Sequence, residues 1–109
     1  MIETLDKTLL NEIILKLVKV YNPVVIYLFG SHAWGIPEKN SDIDFFIIIE
    51  KSSLNHADRI RIGLNALSDY NIAIDLIVLT IDEINSRKDH PSTLTHKVIS
   101  KGKKIYEAA

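Results

Sequence analysis

The 109-residue chain contains no cysteine. This absence excludes disulfide bonds and thiolate zinc sites, and it is consistent with a reducing compartment. Acidic and basic side chains nearly balance, with 14 Asp and Glu against 13 Lys and Arg. General nucleic-acid binding normally requires a basic face. We therefore expect no direct binding to nucleic acid.

The sequence also lacks an apolar run of membrane-spanning length. Residues 1–7 lack the basic and then apolar pattern of a secretory leader. We therefore expect a cytoplasmic protein without membrane association. The length allows one domain, residues 1–109, with a modest core and no second domain. Whatever the protein acts on must then be held largely by another molecule.

Hydrophobic periodicity divides the chain into helices and strands. Amphipathic spacing predicts a first helix over residues 5–21, which Asn22-Pro23 ends. The later predicted elements are a strand at 24–29, a short helical turn at 32–34, a strand at 42–49, a helix from about 57 to 70, a strand at 73–79, a helix from about 80 to 88 with a capping box, and a last helix capped by Ser92 and stopped by Gly102. Residues 103–107 form either an edge strand or a tail.

Two aspartates, Asp42 and Asp44, open a strand that is otherwise apolar. Aspartate is depleted in strands and a buried, unpaired carboxylate is costly, so the pair needs a specific reason. Because side chains alternate along a strand, both carboxylates lie on the same face. A solvated turn or a cap is the usual reading of such a pair alone, but within this strand a bound metal ion is the interpretation that we favour.

The predicted topology brings further residues to the same place. One helix separates the strands at 42–49 and 73–79, which is the length needed for a right-handed crossover between parallel neighbours. Asp75 would then lie at the same sheet edge as Asp42 and Asp44, and an antiparallel first strand would deliver Gly30-Ser31 there. The predicted fold is α/β (α+β), a small sandwich in which a mixed sheet carries its helices mainly on one face and leaves the other free for a site.

Three carboxylates without cysteine suit Mg²⁺ or Mn²⁺. Two carboxylates on one strand face lie roughly 7 Å apart and can flank two ions about 3.5–4 Å apart, which can hold a triphosphate and an attacking oxygen in line. Gly30 would let the backbone approach the phosphates, and Ser31 would place amide donors at the start of a short helix. Asp75 would complete one metal site and accept the proton of the attacking hydroxyl.

The ordered set of Gly30-Ser31, ten intervening residues, Asp42-x-Asp44 and a distal Asp75 resembles the minimal nucleotidyltransferases of the DNA polymerase beta superfamily. The resemblance implies a palm-like fold, with the three aspartates as ligands of two divalent ions and Gly30-Ser31 as the clamp for ATP or another NTP. Small stand-alone members often act as antitoxins beside a helical HEPN-domain toxin, in some cases adenylylating its tyrosine. By that resemblance we expect a nucleotidyltransferase that moves AMP onto such a partner, in a hetero-oligomer.

The sequence departs from members that carry an arginine directly after the Gly-Ser pair, because His32 and Trp34 occupy that loop. The cation that assists the phosphates is therefore open, with Lys39 and Arg59 as candidates. Asp75 has an alternative role as the partner of Arg59 or Arg61. Two other hypotheses for the whole protein are a non-catalytic antitoxin that covers a partner surface and an aspartate-based phosphatase, although the latter leaves the Gly-Ser element unexplained.

Overall fold

The computed structural model describes residues 7–30, 42–87 and 93–108. Ser31, the predicted turn at 32–34, Lys39 and the predicted cap Ser92 lie outside these residues. Along the described chain the elements are α1 (Lys7–Tyr21), β1 (Val25–Phe29), β2 (Ile43–Ile49), α2 (His56–Ala66), β3 (Ile74–Thr80), α3 (Ile81–Asn85), α4 (Leu94–Lys101) and β4 (Lys103–Glu107). No helix of the described part is long and apolar enough to cross a membrane.

The four strands form one mixed sheet in the order β3-β2-β1-β4. Strand β1 is antiparallel to both β2 and β4, whereas β2 and β3 run parallel, joined by the crossover helix α2. This topology confirms the predicted α/β fold with a mixed sheet. It also resolves the role of residues 103–107, which pair with β1 as an edge strand.

Helices α1 and α2 cover one face of the sheet, which we call the first face. Ile13 and Leu17 lie one helical turn apart on α1 and are completely buried, as the amphipathic pattern predicts. They pack against alternate residues of the central strands, namely Ile26, Leu28, Ile43, Phe45, Ile47, Leu76 and Val78. Helix α2 approaches closely because Gly63 has no side chain, and a Cβ there would meet Tyr21 and Leu76.

The opposite, second face carries its own smaller core. Helices α3 and α4 contribute Ile84 and Val98, which pack with Val25, Phe29, Phe46, Ile48 and Leu79. The rings of Phe29 and Phe46 meet edge to face, with centroids 6.1 Å apart and planes at 85°. The prediction that this face stays free is therefore wrong in part, because α3 folds back directly after β3 and α4 lies against β1.

Local hydrogen bonds fix the ends of the short helices. Thr80 and Glu83 form the predicted capping box: the Thr80 N–H donates to Glu83 Oε1 at 2.8 Å, and the Glu83 N–H donates to Thr80 Oγ1 at 3.3 Å. Helix α3 nevertheless ends at Asn85, earlier than the prediction of about residue 88. The cap of α4 is Thr93, whose hydroxyl accepts from the His96 N–H at 3.1 Å, and not Ser92 as predicted.

Two side chains from the first turn of α2 bind the outer edge of β3. Arg59 is buried, and it donates to the Val78 carbonyl at 3.1 Å and to the Leu54 carbonyl at 3.0 Å. It also forms an ion pair with Glu83 at 2.8 Å. His56 Nε2 accepts from the Val78 N–H at 3.1 Å. These bonds satisfy backbone groups on the side of β3 where the described residues form no neighbouring strand.

Candidate active site at the edge of the sheet

Two of the three predicted carboxylates lie directly side by side. Asp44 on β2 and Asp75 on β3 are paired residues of the parallel ladder, each the second residue of its strand. Both belong to the second face, because Phe46 and Ile77, two residues further along each strand, contribute to the second-face core. Asp42 is exposed and lies one residue before β2 begins. Convergence of Asp44 and Asp75, predicted from topology alone, is thus observed.

The environment of Asp44 is unfavourable for its negative charge. The pKa of this carboxyl is raised from 3.8 to about 6, mainly by burial and in addition by the charges of Asp75 and Asp42 and a hydrogen bond to the Asp75 side chain. Because Asp44 and Asp75 are ladder partners on the same face, the two side chains are neighbours on the sheet surface.

Gly30 lies against Asp44 from the β1 side. It follows Phe29, which is the ladder partner of Asp44, and its φ of +77° lies in the left-handed region that favours glycine. A Cβ at this position would overlap the Asp44 carboxylate. Glycine is therefore needed at position 30 for two reasons: the backbone has a positive φ, and the Asp44 carboxylate occupies the space that a side chain would fill.

The neighbouring carboxylates suit a divalent cation that takes only some of its ligands from the protein. Across the described ranges, no three His, Cys, Asp or Glu side chains are gathered into a complete metal-binding group. Mg²⁺ commonly takes one or two carboxylates from a protein and its other ligands from water and substrate phosphates. Asp44 and Asp75, adjacent and mutually repelling, fit that arrangement, and Asp42 lies close enough to act on the charge of Asp44.

The two arginines considered from the sequence have other partners. Arg59 pairs with Glu83 and Arg61 pairs with Asp58 at 2.6 Å, so the alternative in which one of them neutralises Asp75 is wrong. The same contacts remove Arg59 from the candidates for phosphate binding. Arg87 is the arginine that forms no ion pair with any residue in the described ranges.

A cleft over β2 and β3 was not predicted from the sequence. Its volume is about 470 Å³, and its lining residues are Phe46, His56, Ile77, Leu79, Arg87, Thr93, Leu94 and Thr95. The strand residues could have been found, because they follow Asp44 and Asp75 at the two-residue period of one sheet face. The other residues could not, since their approach depends on how α3 and α4 fold back.

Comparisons with known proteins identify the family and agree with the fold. The family model for Polymerase beta, Nucleotidyltransferase matches residues 11–109. The fold is similar to a crystal structure of a toxin-antitoxin with AMP-PNP, at 24% identity and a TM-score of 0.61 over 89% of this chain and 73% of that one. It is also similar to a candidate nucleotidyltransferase from Sulfolobus solfataricus, at 28% identity and a TM-score of 0.53 over 75% of this chain and 73% of that one. No curated protein matches.

Proposed function

Because the chain belongs to the polymerase beta nucleotidyltransferase family, we propose that it transfers AMP from ATP to a tyrosine hydroxyl of a partner HEPN-domain toxin and thereby acts as an antitoxin. The observation that carries the proposal is the pairing of Asp44 with Asp75 on adjacent strands, with Gly30 packed against Asp44. This arrangement supports a divalent-cation site and a phosphate approach at one edge of the sheet.

Asp42, Asp44 and Asp75 would hold Mg²⁺ or Mn²⁺, in the two-ion arrangement expected from the sequence. The bound ions supply positive charge that neutralises the triphosphate. Burial and, after it, the charges of Asp75 and Asp42 disfavour the negative charge of Asp44, so a bound cation would stabilise the ionised carboxylate.

The remaining groups have roles that follow from their positions. Gly30 allows the phosphates to approach the end of β1, and Ser31, which follows it in the sequence, would add amide donors. Asp75 accepts the proton of the attacking hydroxyl. The hydroxyl oxygen forms a bond to the α-phosphorus, the bond from that phosphorus to the oxygen bridging to the β-phosphate breaks, and pyrophosphate leaves.

One observation supports a protein acceptor and an adenine nucleotide. The fold is similar to that of a toxin-antitoxin structure containing AMP-PNP. In the proposed reaction the partner brings its own acceptor residue to the sheet edge.

The test is a labelling experiment with the purified chain, Mg²⁺, ATP labelled at the α-phosphate and the product of the neighbouring gene. We expect label on that partner, at a tyrosine, and loss of labelling with Asp44→Asn but not with Asp69→Asn. Asp69 is an exposed aspartate in the turn after α2 and serves as the matched control. Absence of label with a folded sample would contradict the proposal.

A second measurement separates catalysis from surface occlusion. The double variant Asp42→Asn, Asp44→Asn is tested for neutralisation of the partner's toxicity in cells. We expect neutralisation to be lost. If the double variant neutralised the partner as well as the native chain does, the protein would be a non-catalytic antitoxin.

A further inference from the structure

Several hydrogen-bond donors lie at the first turn of α4, in the cleft over β2 and β3. Arg87 and Thr95 both line this cleft. The hydroxyl of Thr93, the cap of α4, donates to the Arg87 carbonyl at 3.1 Å, which holds the backbone of Arg87 beside the start of the helix. No acidic residue is among the described residues that line the cleft. An anion that entered it would therefore meet a cation and no opposing carboxylate from that part of the lining.

Thr95 carries a buried hydroxyl that lacks a partner. Only 4% of this residue is exposed, and its hydroxyl forms no hydrogen bond with any group in residues 7–30, 42–87 and 93–108. Buried polar groups of native proteins are nearly always paired, so an unpaired one indicates a water, ion or ligand that completes the structure. Because Thr95 lines the cleft, a group bound there can supply the missing partner.

The first turn of α4 also has backbone N–H groups without acceptors. A helix leaves its first four N–H groups without intrahelical partners. Thr93 satisfies two of them, since its hydroxyl accepts from the His96 N–H at 3.1 Å and its carbonyl accepts from the Lys97 N–H at 3.3 Å. The N–H groups of Leu94 and Thr95 have no acceptor in the described part of the chain. They lie at the positive end of the helix dipole, where an anion is stabilised.

Arg87 adds a full positive charge to these donors. Its side chain is exposed and forms no ion pair with another described residue. A guanidinium binds phosphate through two parallel, charge-assisted hydrogen bonds. A phosphate group presents three strong acceptor oxygens, whereas a carboxylate presents two. The guanidinium, one hydroxyl and two backbone N–H groups therefore suit a phosphate better than a carboxylate.

We propose that the first turn of α4, together with Arg87, is a phosphate-binding site separate from the proposed metal site. The Thr95 hydroxyl and the N–H groups of Leu94 and Thr95 donate to the phosphate oxygens, and the Arg87 guanidinium neutralises their charge. None of the three aspartates lines the cleft, so the site needs no divalent ion. The ligand is free phosphate or the phosphate group of a nucleotide, which share this chemistry. The inference does not depend on the proposed function.

The first experiment measures phosphate binding directly. Inorganic phosphate, AMP and acetate are titrated separately into the ¹⁵N-labelled chain at pH 7 and constant ionic strength, with EDTA to remove metal ions. We expect phosphate to shift the amide resonances of Leu94 and Thr95 and the Nε–H resonance of Arg87, with half-saturation on the order of 1 mM. Acetate should not shift them. Absent or non-saturating shifts, or equal shifts with acetate, would overturn the proposal.

The comparison of phosphate with AMP identifies the source of the bound group. Tighter binding of AMP at the same three resonances would support the phosphate group of a nucleotide as the ligand. Equal or weaker binding of AMP would support free phosphate. Arg87→Gln should weaken binding of either ligand about tenfold, whereas Arg61→Gln, at an exposed position of α2, should leave it unchanged. Equal affinity of these two variants would overturn the proposal.

Thr95→Val separates ligand binding from a structural role. It keeps the shape of the side chain and removes the hydroxyl, so it should weaken phosphate binding about fivefold. In phosphate-free buffer it should not lower the urea midpoint, because the hydroxyl is unpaired there. Thr80→Val, which removes a hydroxyl that accepts from the Glu83 N–H, should lower the midpoint and leave phosphate binding unchanged. If Thr95→Val lowered the midpoint as Thr80→Val does, or bound phosphate as tightly as the native chain, the proposal would be overturned.

Discussion

Replacing Asp44 by asparagine should stabilise the metal-free protein at pH 7. Burial and the charges of Asp75 and Asp42 oppose ionisation of Asp44 in the folded chain. Asparagine keeps the size of the side chain and removes the charge. The substitution that abolishes the proposed activity is therefore expected to raise the free energy of unfolding.

The magnitude follows from the pKa of Asp44, which rises from 3.8 to about 6 on folding. Each unit corresponds to about 1.4 kcal/mol, so the full shift would correspond to about 3 kcal/mol. Asp44 is only half-buried, and water screens such a group, so we expect about 1–2 kcal/mol. For a domain of this size that raises Tm by about 4–8 °C.

The pH dependence has a definite sign. Because the folded pKa of Asp44 lies above its unfolded value, the folded chain binds the proton more tightly, and ionisation at higher pH costs stability. The advantage of Asp44→Asn should be small near pH 4, grow between pH 4 and 6, and be complete at pH 7.

Urea unfolding at a series of pH values between 4 and 7.5 measures this difference, with Asp69→Asn as the control. Mg²⁺ adds a second readout, since a ligand that binds only the folded state raises its stability. We expect Mg²⁺ to stabilise the native chain more than Asp44→Asn. A variant that is less stable than the native chain at pH 7, or an equal response of the two to Mg²⁺, would refute the reasoning.

Three further substitutions test other parts of the structure. Gly30→Ala should lower the unfolding free energy by about 1–3 kcal/mol, because its φ of +77° is strained for alanine, and it should also weaken AMP-PNP binding in calorimetry; unchanged binding would contradict the phosphate approach. Glu83→Gln should destabilise by about 1–2 kcal/mol at pH 7, since the hydrogen bond from Arg59 holds the pKa of Glu83 down at about 2. Its deficit in urea unfolding should shrink as pH falls from 4.5 toward 2. Gly63→Ala should cost about 1–3 kcal/mol by overpacking between α1 and β3, and a neutral result by thermal unfolding would show that α2 can shift.

The central strands and their relative order could be predicted from the sequence because long-range and local signals agree there. Apolar runs of β-branched residues identify β1, β2 and β3, and the single helix between β2 and β3 is long enough for a parallel crossover. Once that pairing is assumed, the two-residue period alone places Asp44 and Asp75 on the same face.

The sequence predictions that proved wrong concern features for which several local conformations or side-chain partners have similar energies. The side of the sheet on which the five-residue α3 packs is not encoded in its periodicity. Ser92 and Thr93 are neighbouring hydroxyl residues with similar capping preference, so the sequence could not decide between them. Arg59 has a long side chain that can reach several carboxylates, and its partner Glu83 is selected only when α2, β3 and α3 come together.

At Val78, side chains of the protein itself already bind the backbone groups on the outer edge of β3. Unpaired edges of sheets are templates on which a foreign strand can add, which leads to aggregation or domain swapping. Because His56 and Arg59 bind both backbone groups of Val78, an incoming strand would have to displace an imidazole and a buried guanidinium before it could extend the sheet there. The fold thus protects a chain rich in isoleucine against edge-to-edge polymerisation on the β3 side.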